Sequence, residues 1–168
     1  MPLPTFMYRL IGRFSVSRFD QILHPLLYRR GDGRGLLGRI LGCEMLLLTT
    51  TGRRSGHFRS VVLFAFPVTD PAGSWAVIGS RGGSGSIPAW YQNLKAHPEV
   101  TIQVRGSLFR AGPREVFGEE YEAIFERAAG AYAGYRLYRA EAALHIPIVI
   151  LEPLVLSASA PASALLDT

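Results

Sequence analysis

Cysteine is nearly absent. Cys43 is the only one, which excludes an internal disulfide and any site built from several thiolates. A lone thiol is in keeping with a reducing cytoplasm. Lysine is as rare: Lys95 stands alone, so the formal charge of +5 rests on arginine. No run approaches the roughly 18 apolar residues that a membrane-spanning helix needs. Arg9, Arg13 and Arg18 interrupt any apolar core near the start, which argues against a signal peptide there. HExxH, GxSxG, CxxC and a Walker A lysine are all missing. The histidines, His24, His57, His97 and His145, are scattered without the spacing of metal ligands, so no metal site is expected. No nucleophile–base pair is evident either. Hydrolase and metalloenzyme readings are therefore weak. Chemistry on a bound cofactor stays open, because a cofactor carries its own reactive atoms.

What is present fits one ordinary domain. The chain has 168 residues, 48% apolar and 18% charged, enough to bury a real core. Arginine offers a planar fork suited to phosphate and carboxylate. A basic balance can serve nucleic acid, an acidic membrane surface or an anionic small molecule. Here the arginines outside the N-terminal segment sit largely at turns beside glycine rather than in basic runs interleaved with aromatics. That speaks against nucleic acid.

Along the chain, residues 3–28 have helical periodicity. Phe6, Leu10 and Phe14 share one side, and Arg9, Arg13, Ser17, Asp20 and His24 the other. Residues 1–30 are thus expected to be an amphipathic helix packed on the domain, with peripheral membrane contact through residues 3–28 as the sharper reading. Residues 31–43 are a Gly/Arg-rich connector. It contains Gly33-Arg34-Gly35-Leu36-Leu37-Gly38, a match to GxGxxG that is rejected because no strand precedes it. Strands are expected at 45–51, 58–68, 75–80, 100–104, 108–117 and 146–152. Helices are expected from Pro88 to about Ala96, over 118–131, and in a short Tyr-rich stretch after it. The strands connect mostly by short turns, which favours an antiparallel α+β barrel over residues 44–153 with helices at its side. The Ala/Ser-rich segment 154–168 is expected to be a flexible tail.

Three groups of residues invite chemistry. Thr49-Thr50-Thr51-Gly52-Arg53-Arg54-Ser55-Gly56, with Arg59 after it, places hydroxyls and guanidinium groups on a tight turn. Its glycines let backbone N–H groups face an anion. Gly79-Ser80-Arg81-Gly82-Gly83 leaves a strand in the same manner, and two such corners could hold one polyanion between them. Tyr132, Tyr135 and Tyr138 recur every three residues, which predicts a tyrosine stripe along one side of a helix.

These residues resemble the deazaflavin (F-420)-dependent nitroreductases, also called F-420-dependent quinone reductases. The resemblance runs from about Leu46 to Pro153. It rests on TTTGRRSG at 49–56, Arg59, GSRGG at 79–83, PAWYQNL at 88–94, HPEV at 97–100 and IPIVILEP at 146–153. It implies a split β-barrel of the flavin-reductase and pyridoxamine-phosphate-oxidase type. It further implies that Arg54, Arg59 and Arg81 meet the phosphate and polyglutamate tail of coenzyme F-420. Thr50, Thr51, Gly52, Arg53, Ser55, Gly82 and Gly83 would frame the same site, and Ser80 would lie by the deazaflavin ring. Tyr132, Tyr135 and Tyr138 match tyrosines that line the acceptor pocket, with Tyr135 the expected hydrogen-bond or proton donor. Trp90 and Asn93 are expected to be structural. Family members often carry Lys at the positions of Arg54 and Arg81. They also often carry Thr and Arg at Ala142 and Leu144, so nitroimidazole reduction is not carried over.

The implied function is hydride transfer from reduced F-420 to a small organic acceptor: a quinone, nitro compound or activated alkene. The implied location is the cytoplasm or the inner face of the membrane, and barrels of this kind are often homodimers. Two rivals remain: an FMN-binding oxidoreductase of the same barrel class, and a lipid- or membrane-binding split barrel without catalysis.

Overall fold

The computed structural model describes residues 4–14, Pro25, Tyr28 and 43–154. The connector, its GxGxxG match, most of 15–42 and the tail beyond 154 lie outside the described residues. Six strands are formed: β1 (Met45–Thr51), β2 (Phe58–Val68), β3 (Ser74–Ile78), β4 (Val100–Val104), β5 (Ser107–Glu115) and β6 (Ile148–Pro153). Every pairing is antiparallel, and the strands close in the order β1-β2-β3-β6-β5-β4. Helices α1 (Thr5–Phe14), α2 (Ala89–Ala96), α3 (Gly118–Ala131) and α4 (Gly134–Glu141) flank the barrel. The antiparallel α+β barrel expected from the sequence is the fold observed.

Alternation builds two layers. Leu46 and Leu48 of β1, Ala65 of β2, Trp75 and Val77 of β3, Ile102 of β4 and Val149 and Leu151 of β6 fill the barrel. The opposite parity, Phe66, Ala76, Ile78, Ile148 and Ile150, meets Ile124, Phe125, Ala128 and the tyrosines of α3 and α4. β6 is thus covered on both faces, which is why its sequence is an unbroken apolar run rather than an alternating one. β1 is similar: Met45 and Leu47 pack under Tyr28, whose hydroxyl donates to the Met45 carbonyl at 2.8 Å. Each such fully buried aliphatic side chain contributes about 1.5–3 kcal/mol over its exposed state.

Register decides where the loops gather. Thr51 pairs with Phe58, so the 52–56 turn caps one end of the barrel. β3 runs antiparallel to β2 and reaches that same end at Ile78. β4 begins there as well, since Thr101 pairs with Thr49. The two arginine-bearing corners and α2 therefore share one end, the mouth. The 69–73 connection and the Arg105-Gly106 turn lie at the other.

Two expectations need correction. The tyrosines do not lie on one helix. α3 ends where Tyr132 turns to extended backbone (φ −136°, ψ 98°), and only Tyr135 and Tyr138 belong to α4. The break leaves Gly134 so close to the Tyr132 ring that a Cβ there would overlap it. In α1, the residue that packs inward is Tyr8, while Phe6 and Leu10 are 68% and 64% exposed. Tyr8 sets its ring edge-on to Tyr132 at 5.3 Å, and its carbonyl accepts the Tyr138 hydroxyl at 2.8 Å. That anchor turns the apolar Phe6–Leu10 face outward.

Candidate functional site

At the mouth, the first corner is a closed turn. The Gly52 N–H donates to the His57 carbonyl and the Gly56 N–H to the Gly52 carbonyl, both at 2.8 Å. Gly56 has φ 69°, where a side chain would be strained. A Cβ on Gly52 would stand 2.9 Å from Ser55 Oγ and 3.0 Å from the His57 carbonyl, so the turn would have to shift to take a side chain there.

Asn93 of α2 fixes this turn to the barrel. Its Oδ1 accepts the Arg53 N–H at 3.1 Å, and its Nδ2 donates to Thr50 Oγ1 at 2.9 Å. Thr50 is 1% exposed, and its hydroxyl also lies 3.4 Å from the Arg59 carbonyl. Thr50, expected to touch the ligand, instead turns inward, because Asn93 and Arg59 use up its hydroxyl. Thr51 is half-buried and Gly52 buried, whereas Arg53, Arg54, Ser55 and Arg59 are exposed. Pro88 caps α2 from an extended backbone (φ −62°, ψ 143°) rather than sitting inside its first turn.

The second corner follows β3. The Gly79 N–H donates to the Pro147 carbonyl at 2.8 Å, and a Cβ on Gly79 would meet Pro147 Cγ at 2.7 Å. Ser80 is right-handed (φ −72°, ψ −21°), then Arg81 (φ 45°), Gly82 (φ 61°) and Gly83 (φ 77°) are left-handed. A right-handed residue followed by a left-handed one aims successive N–H groups into one concavity, the backbone form of an anion nest. A left-handed arginine is uncommon and costs strain that an anion could offset. Its guanidinium donates to Ser86 Oγ at 2.6 Å. Gly83 lies on Tyr138, with space for no side chain.

Charge pairing separates these arginines from the rest. Lys95, Arg105, Arg110, Arg114, Arg136 and Arg139 all bridge to glutamates. Among the described residues, Arg53, Arg54, Arg59 and Arg81 bridge to no carboxylate. Arg127 on α3 bridges to no described carboxylate either. Four uncompensated guanidinium groups at one mouth can take a multiply charged anion, bidentate where its oxygens allow.

The tyrosines are placed otherwise than expected. Tyr132, Tyr135 and Tyr138 are all buried, and the Tyr132 and Tyr138 hydroxyls lie 3.0 Å apart. Tyr135 packs edge-on to Phe66 at 6.1 Å and to Tyr132 at 5.5 Å. Burial raises the pKa of all three phenols, most strongly for Tyr132 and Tyr135. They form an aromatic floor against α1 rather than an open wall. Period three reads as one helical stripe, because nothing in the spacing shows that α3 ends before Tyr132 and that α4 starts afresh at Gly134. Asn93 was legible as a motif residue, but not as the clip that holds the first corner.

A family model described as F420H(2)-dependent quinone reductase matches residues 23–153. The chain belongs to this family. Among its relatives, an F420H(2)-dependent quinone reductase of Mycobacterium tuberculosis is 31% identical over 136 residues, 77% of this chain and 87% of that protein. A solved F420-H2 dependent reductase, FDR-A, superposes with a TM-score of 0.58 at 36% identity, covering 64% of this chain and 93% of its own. A second solved chain, described as a domain-swapped dimer, has a TM-score of 0.58 at 36% identity, covering 64% of this chain and 79% of that one. The heme storage protein HutZ of Vibrio cholerae shares the fold at 12% identity and a TM-score of 0.51 over 81% of this chain and 92% of its own.

The mouth fits the family's coenzyme. F-420 carries a phosphate and a polyglutamate tail. The four guanidinium groups without a carboxylate partner, and the N–H nest at Ser80-Arg81, are donors of the kind that phosphate and carboxylate oxygens accept.

Proposed function

We propose that the protein is an oxidoreductase that uses reduced F-420 to reduce a quinone or a similar planar acceptor. The carrying observation is the set of uncompensated arginines, Arg53, Arg54, Arg59 and Arg81, on two rigid corners at one end of a barrel of this family. The coenzyme, when bound, supplies the hydride. The chain's residues supply position and electrostatics. Arg54, Arg59 and Arg81 bind the anionic tail, with Arg53 and Ser55 beside them. The Gly52 turn, clipped by Asn93 through Thr50, holds its arginines in one orientation. Gly82 and Gly83 let the second corner approach closely, and Ser80 orients the ring edge. The tyrosine floor, Tyr132, Tyr135 and Tyr138, excludes water from behind. Tyr135 stays neutral through the reaction, because burial opposes its ionisation.

The test is a fluorescence titration of the purified protein with oxidised F-420, with FMN in parallel. We expect saturable F-420 binding that weakens with salt, as exposed charge pairs do. Arg54→Ala should weaken it at least tenfold, and FMN should not compete. Equal affinity for FMN, or an unchanged constant in Arg54→Ala, would refute the reading.

A second reading concerns place rather than chemistry. Phe6 and Leu10 project from α1 into solvent, an amphipathic face of the kind that lies in a lipid interface. Among the described residues no helix is long and apolar enough to cross a membrane. On the strength of that exposed face, residues 3–28 are proposed as a peripheral contact. A homodimer is proposed on the strength of the swapped dimer formed by one relative.

A further inference from the structure

An open cleft of about 710 Å³ lies beside the mouth, where α3 begins and the chain enters β6. Phe117, Tyr121, Arg139, Leu144, His145 and Ile146 are among its walls. Phe117 and Leu144 are 64% and 52% exposed. Two large apolar side chains held in water at the rim of a concavity mark a ligand surface more than a packing defect. The floor is rigid. Tyr121 stacks on Phe125 at 6.1 Å and 13°, and its hydroxyl donates to the Ile146 carbonyl at 3.0 Å. The His145 ring lies 5.0 Å from the Tyr121 ring.

His145 also faces the second corner. With Leu144 and Ile146 it lines a small depression whose other walls include Gly79, Ser80 and Ser86. The cleft and the corner assigned to the coenzyme ring thus share Leu144, His145 and Ile146 as walls, and His145 is the one of the three with a titratable side chain.

We propose that the planar hydride acceptor seats in this cleft and that His145 donates the proton that completes its reduction. This inference rests on the function proposed above. The balance is simple. A quinone takes up a hydride, two electrons and one hydrogen, and becomes a hydroquinone monoanion. The N–H bond of the His145 imidazolium breaks, an O–H bond forms on that oxyanion, and solvent returns the proton to the ring. The groups around His145 leave it as the donor. Tyr121 is already bonded to Ile146, and burial raises its pKa. Arg139 is bridged to Glu122 and Glu126. Glu119 and Glu122 of α3 line the same cleft, and a carboxylate donates no proton in its ionised form. Histidine is the side chain that ordinarily changes charge between pH 5 and 8.

Two measurements test this. In the coenzyme-free protein with labelled histidine rings, 2-methyl-1,4-naphthoquinone should shift the His145 signal, assigned by its loss in H145Q, and leave His57 and His97 in place. No movement at His145 overturns the seat. In turnover with F-420 and the same quinone, wild-type kcat should fall as pH rises through the imidazole range. H145Q should lose that limb and about 10²-fold in kcat, with coenzyme affinity unchanged. L144W, which fills the rim, should raise KM with little change in kcat. An H145Q enzyme with wild-type kcat and pH profile overturns the proton role. Absence of F-420 binding in the wild type would instead sink the coenzyme reading and leave the ring-shift experiment to judge the cleft.

Discussion

At the scale of the residue, Asn93 shows how a buried amide can serve a surface site. It is 6% exposed and yet holds both Thr50 and the Arg53 backbone. Removing it leaves a buried hydroxyl and a backbone N–H short of a partner. Asn93→Ala should therefore cost about 1–3 kcal/mol of stability, read by urea denaturation. It should also weaken F-420 binding more than Arg127→Ala does, although Arg127 carries charge and Asn93 does not. Equal effects of the two variants would mean that net charge, not the shape of the turn, governs the site.

At the scale of the element, the strands were legible because alternation and unbroken apolar runs translate directly into faces. The MLLLTTT run of β1 and the IPIVILEP run ending in β6 are each buried on both sides, so no other placement satisfies them. The helices were less legible. Tyr8 sits between Phe6 and Leu10 in the sequence, and hydropathy ranks it below both. Its hold on Tyr132 and Tyr138 is a tertiary fact that periodicity does not contain. The cleft was illegible for the same reason: Phe117, Tyr121 and His145 lie on three segments that only β5, α3 and β6 bring together. The outward face of α1 yields a prediction of its own. Phe6→Asp with Leu10→Asp should abolish flotation with anionic vesicles and leave F-420 affinity intact. Undiminished flotation would remove α1 from the membrane reading.

At the scale of the whole molecule, stability should depend on pH through a few carboxylates. Burial alone would raise the Glu115 pKa, but hydrogen bonds from Lys95 and Tyr91, helped by the charges of Lys95 and His145, outweigh it and hold it below the ordinary range. The hydrogen bond from Arg114 holds Glu120 low as well. A depressed folded-state pKa means that the unfolded chain binds more protons in acid. The stabilisation is complete above the unfolded carboxylate value of about 4.3 and is lost as pH falls through the folded values. Lys95 works on the opposite side. Its raised pKa adds stability that is present below about 10.4 and lost in stronger base. Urea midpoints should be flat near neutrality and fall in acid, and Glu115→Gln should flatten the acid limb. An identical acid limb in that variant would show that other groups set it. Lys95 is 63% exposed, so the pair contributes less than about 1 kcal/mol.

The register that gathers both corners at one end also leaves the other end idle. The Arg105-Gly106 turn is short, exposed and far along the strands from Arg54 and Ser80. A linker spliced there would tether the barrel to an electrode or a bead with its mouth facing outward. Orientation, usually left to chance in immobilised catalysts, is in this molecule a property of the strand order.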